Sequence, residues 1–168
     1  MTTHAVEDQY FRTLAVTLDT AGGFAEVSGE LVPTGTVRRR PGSAAQAPYP
    51  IGTGDSTLLT AQVQDEPLAL TPGPARFRRG TWYVDALLGT TAYRLAARST
   101  ETSTLTRDGE DIATFEAHGN EWISAAWQRP VDPQDATVGY LLALAFGTGA
   151  QTAPRAFVMA LLDSIPGQ

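Results

Sequence analysis

The chain has 168 residues, 42% of them apolar and 18% charged, with a formal net charge of −6. That size and balance suit one globular domain able to bury a real core, not a disordered chain. An acidic chain lacks the basic surface that supplies most nucleic-acid affinity, and the absence of cysteine excludes a disulfide framework, a thiolate metal site and a cysteine nucleophile.

Every basic residue is arginine, which leaves no lysine for a Schiff base or a P-loop. With abundant Ala, Gly and Pro, this bias points to a high-GC bacterial genome. His4 and His118 are the two histidines, too few for a metal site built on several imidazoles. Residues 1–10 carry Glu7 and Asp8 and lack the basic and apolar regions of a signal peptide. The uncharged run 136–154 is broken by Gly147 and Gly149 before it reaches the roughly 20 apolar residues of a membrane span. The chain is therefore expected in the cytoplasm and not across a membrane.

Alternation of Leu14, Val16 and Leu18 with threonines and Ala15 predicts a half-buried strand over 12–18. The turn 19–23 leads to a second strand over 24–32. Residues 33–55 read as one long Pro/Gly-rich loop within a single domain, carrying Arg38, Arg39 and Arg40. Loops of that length are uncommon and are usually functional or disordered. A strand is expected over 57–63, then a Pro/Gly break over 67–74. A meander follows, with strands over 81–88, 92–98, 103–107, 110–117 and 121–128. Asp108-Gly109 inside it is a strong hairpin signal.

The end of the chain changes character. Asp132-Pro133-Gln134-Asp135 predicts a helix start, with an N-cap acid, proline at the first position and an acid in the first turn. Residues 138–146 are apolar on every side, and a helix of that kind is buried all round. A second helix is expected over 154–165, with Phe157, Val158, Leu161, Leu162 and Ile165 on one stripe and Arg155 and Asp163 off it. That one belongs on a surface, covering a sheet face or serving a partner.

The fold expectation is mostly β: a curved antiparallel sheet or barrel wrapped around a buried C-terminal helix, plus one surface helix. Phe77-Arg78-Arg79-Gly80-Thr81-Trp82, Ala92-Tyr93-Arg94-Leu95, the run from Leu105 to Ala113 and the 138–146 helix carry a family likeness. Over residues 76–150 the chain resembles the tubby C-terminal superfamily in its broad sense, including LURP-one-related and scramblase-like proteins. The resemblance implies a barrel of strand–turn–strand hairpins threaded by an apolar helix, and a non-enzymatic domain. Tubby proteins bind phosphoinositide head groups through lysine and arginine. A chain without lysine cannot inherit that site residue by residue.

Arg38, Arg39 and Arg40 are the most conspicuous charge cluster, with Arg76 and Arg78 as a second group on one strand face. Guanidiniums at those positions could bind a phosphate, a lipid head group or an acidic partner; the plainer reading is a solvated run that keeps the surface mixed in sign. His118 and Glu121 in one turn are two potential ligands or an acid and a base, and a turn of that composition has backbone reasons of its own. The paired acids 7–8, 65–66 and 110–111 point to opposite faces of their strands. No nucleophile elbow, phosphate cradle or cofactor motif is present. The resulting expectation is a binding or scaffold protein with no catalysis, cofactor or metal, recognising an anionic lipid or protein surface. Two alternatives stand beside it: a subunit of a homo-oligomer or larger complex, and a small-ligand carrier, which would require the apolar helix to pack outside the sheet.

Overall fold

The computed structural model describes residues 1–46, 49–74, 82–118 and 122–149. Eleven strands follow one another as β1 (Thr2–Asp8), β2 (Arg12–Asp19), β3 (Phe24–Gly29), β4 (Gly35–Arg39), β5 (Leu59–Val63), β6 (Glu66–Pro72), β7 (Tyr83–Leu88), β8 (Thr91–Ala97), β9 (Thr102–Arg107), β10 (Glu110–His118) and β11 (Trp122–Trp127). Each pairs antiparallel with its neighbours in sequence, so the sheet is a simple meander that curls into a nearly closed barrel. The helix α1 (Pro133–Phe146) runs through the interior.

Alternation sets the inner face. Leu14 and Val16 on β2, Ala25 and Val27 on β3, Val84, Ala86 and Leu88 on β7, and Tyr93 and Leu95 on β8 are all buried. α1 has no polar face to offer solvent. Every residue from Asp135 to Phe146 is buried, and the helix touches β3, β4, β5, β8 and β11. Gly139 makes this approach possible, because a Cβ there would lie 2.6 Å from Phe115 Cζ and 2.8 Å from Leu105 Cδ2. The same interior is what a ligand carrier would have to keep empty.

Asp108 and Gly109, with φ of 49° and 86°, form the expected tight turn. Three strands fall where none was predicted. β1 enters its hairpin through Gln9-Tyr10-Phe11, which has no glycine or proline; Asp8 makes the turn by accepting the N–H groups of Tyr10 and Phe11 at 2.9 and 3.1 Å. β4 lies inside the stretch read as one loop. β6 tolerates Pro67 and Pro72 because they sit at its two ends, where a missing N–H costs little. The 154–165 helix, Arg76, Arg78 and the turn at 119–121 lie outside the described residues.

An odd number of alternating strands leaves β1 and β11 running the same way. Among the described residues no backbone ladder joins them. Side chains bridge the seam instead: Trp127 Nε1–H donates to Asp8 Oδ2 at 2.9 Å, the Trp127 N–H to Gln9 Oε1 at 3.4 Å, and Tyr140 O–H to the same Asp8 Oδ2 at 2.6 Å.

Candidate functional site

The arginine triplet does not act as one cluster, because strand alternation divides it. Arg38 and Arg40 are exposed and Arg39 is buried. The Arg38 guanidinium lies 4.3 Å from the centroid of the Phe24 ring, its partner across the β3–β4 ladder. Arg39 points the other way, donating from Nε to the Ser43 carbonyl at 3.1 Å and from a terminal nitrogen to the Ile51 carbonyl at 2.7 Å. The expectation of three guanidiniums on a flexible loop is therefore corrected: one of them is part of the core.

What Arg39 holds is the barrel floor. Beyond β4 the described part of the stretch to residue 55 folds under the C-terminal end of α1, where Ile51 and Gly52 both donate their N–H groups to the Ala145 carbonyl at 3.2 and 2.9 Å. Ile51 is fully buried, and Tyr49 packs edge-on against Phe146 at 5.1 Å. A Cβ at Gly52 would lie 2.6 Å from the Phe146 ring, so only glycine lets the floor press this close. Gly35 is close to the helix in the same way, since a Cβ there would lie 2.5 Å from Thr137 Cγ2. Asp55 caps the short 3-10 turn that follows; hydrogen bonds from the Thr57 hydroxyl and N–H hold its carboxyl below the usual range, with a smaller contribution from Arg40.

At the opposite end Asp135, fully buried, gathers three donors. Tyr93 O–H reaches Oδ1 at 2.6 Å, and Arg107 and the Asp132 N–H, the latter at 2.8 Å, reach Oδ2. The cluster contains an acid, a phenol and a guanidinium, but the Tyr93 and Arg107 contacts tie the start of α1 to β8 and β9, and the Asp132 N–H closes the capping box of α1 itself. On the outer wall His118 Nε2 lies 2.7 Å from Ser124 Oγ across the β10–β11 pair.

Among the described residues, two open grooves mark the outside. One of about 590 Å³ lies over β6–β9, lined by Ala69, Thr71, Leu87, Ala92 and Thr106, with the Arg94–Asp85 pair on its flank. That pair is bidentate at 2.6 and 2.9 Å, and Arg94 also covers the Tyr83 ring at 4.1 Å. The other, about 570 Å³, sits at the start of α1 between Glu30, Leu31, Gln64 and Gln134. Among the described residues no group of acids and histidines is arranged to hold a metal ion, and no helix is long and apolar enough to cross a membrane.

Burial pushes the phenols of Tyr93 and Tyr140 well above their ordinary value near 10, helped by hydrogen bonds to Asp135 and Asp8; burial alone raises Tyr49. The unfolded chain ionises these groups near pH 10 while the folded chain keeps them protonated, so above that pH the unfolded state binds fewer protons and stability falls. The thermal midpoint is expected to fall with increasing steepness as pH rises above about 10. Phenolate absorbance from these three tyrosines should appear together with loss of the circular dichroism signal. Their ionisation in a still-folded chain would contradict the burial described here.

No family model matches the chain, and no curated protein or solved structure matches it either.

Proposed function

We propose that this chain is a non-catalytic binding or scaffold domain that presents Arg38 and Arg40 to an anionic surface, foremost that of a lipid bilayer. The observation that carries the reading is their shared exposure: two guanidiniums two residues apart project from the same side of the chain beside the barrel floor, while Arg39 is spent inside it. Stacking on Phe24 preorganises Arg38, so less side-chain freedom is lost when it meets a phosphate. The filled interior supports the same reading, since it directs recognition to the outside. A helix inside an antiparallel barrel is also the arrangement that the tubby-like resemblance implies, and the arginine-only, Ala/Gly/Pro-rich composition is the basis for reading the chain as bacterial.

The test is co-sedimentation with vesicles of phosphatidylserine and phosphatidylcholine at low and physiological salt. Binding should weaken with salt, and the double variant Arg38→Ala/Arg40→Ala should lose about tenfold or more in affinity, at roughly 1 kcal/mol per surface arginine, with an unchanged melting temperature. If the folded double variant binds these vesicles as the parent does, the lipid reading fails. Vesicle-indifferent parent protein that forms a defined oligomer in light scattering would instead favour an assembly subunit.

A further inference from the structure

We propose that the barrel floor holds one bound water molecule, which bridges the Tyr49 hydroxyl to Ser103 on β9. Tyr49 is 7% exposed, and its hydroxyl is a buried polar atom with no hydrogen-bond partner among the described residues. Keeping a phenol O–H away from water without a partner is costly, and native interiors rarely do so. Tyr49 also lines a cavity of about 20 Å³ where the floor meets the wall of β7, β8 and β9. One water needs roughly 10–15 Å³ for its centre, so the space takes one and excludes a larger ligand.

A buried water also needs two or more polar partners. Val84, Leu95 and Phe146 give the cavity carbon walls, and Ser103, 3% exposed, lies on it with Tyr49. Ser103 Oγ accepts the Gly149 N–H at 2.8 Å, which leaves its O–H proton and one lone pair for a second partner. A water there accepts from the Tyr49 phenol and shares a hydrogen bond with the Ser103 hydroxyl. The two hydroxyls do not bond each other directly, so the water is the link. Edge-on packing against Phe146 at 5.1 Å holds the Tyr49 ring in place beside it. The bridge completes the support of the floor. Arg39 ties the floor to β4 through the Ile51 carbonyl, and the Ile51 and Gly52 N–H groups tie it to the end of α1. The water adds the tie to β9.

Tyr49→Phe removes the hydroxyl and keeps the ring, so the variant should fold. With a bridging water, its unfolding constant at neutral pH should rise about fivefold, the weight of one net hydrogen bond. A dry, unpaired hydroxyl predicts the opposite sign, because its removal relieves a buried polar group. An unchanged or lowered constant in urea denaturation would therefore overturn the proposal. The bridge also predicts coupling between its two ends. Ser103→Ala loses the Gly149 contact as well, so the informative quantity is its combination with Tyr49→Phe. The double variant should show a rise at least about threefold smaller than the product of the two single rises; a simple product would count against a shared water. Water-selective NOE spectroscopy reads the site directly. The parent should show a long-lived water contact at the amides of Gly147 and Gly149, which line the cavity, and Tyr49→Phe should lose it. A contact that survives in the variant belongs to proton exchange at the Ser103 hydroxyl and would sink the bridge.

Discussion

Replacing Asp8 with alanine is expected to destabilise the protein by about 3 kcal/mol, a large effect for one residue at the end of a strand. Its carboxylate takes the Tyr10 and Phe11 N–H groups on one oxygen and the Trp127 indole and Tyr140 hydroxyl on the other. Alanine opens the β1–β2 turn and leaves the Tyr140 phenol, on a fully buried residue, without its acceptor. Urea denaturation followed by tryptophan fluorescence measures the loss. A paired experiment separates the latch from the turn: Tyr140→Phe in the Asp8→Ala background removes the stranded hydroxyl, so the double variant should cost less than the sum of the single ones. Strict additivity, or a loss below about 1 kcal/mol, would show that the seam is not held here. Because no ladder joins β1 to β11, their amides should also be the first in the sheet to exchange in the Asp8→Ala variant.

Asp135→Ala should cost about 3–5 kcal/mol, since it breaks a buried ion pair by removing one partner only. Arg107 loses its close carboxylate, the Tyr93 hydroxyl loses its strongest partner and the first turn of α1 loses the acceptor of the Asp132 N–H. Asp135→Asn keeps the shape and an acceptor oxygen but not the charge, so it should recover part of the loss. If alanine and asparagine were equally mild, below about 1 kcal/mol by urea denaturation, the cluster would not anchor the helix.

These two sites and Arg39 divide one task. Asp135 ties the start of α1 to β8 and β9, Asp8 ties its middle to the seam, and Arg39 holds the floor beneath its end. A helix apolar on all sides gains most of its stability from burial, and burial is non-directional. The few polar contacts at the barrel rim and seam supply the direction, fixing the depth and rotation of α1 as it threads the sheet. That is why the most conspicuous polar clusters of this chain belong to its architecture, and why recognition is sought on the outer surface.

The sequence by itself determined the fold class. Period-two alternation in 12–18 and 92–98, the Asp108-Gly109 turn and the capped apolar run 132–146 are local signals, each set by the conformations open to a few adjacent residues, and each led to the observed element. Tertiary structure alone decided the rest. β1 was hidden because its hairpin is made by the side chain of Asp8 and not by glycine, and β4 because its five residues sit between prolines whose turns are local while its ladder partners, such as Ala61 for Val37, are distant. The fate of the arginines was hidden for the same reason. Adjacent residues in a strand face opposite sides, and nothing within 38–40 says that a strand runs there or that the carbonyl of Ile51 waits on its inner side. Local patterns report which surfaces must be buried; which polar group meets which across the barrel depends on contacts between residues far apart in the chain, and these exist only once the sheet has closed around its helix.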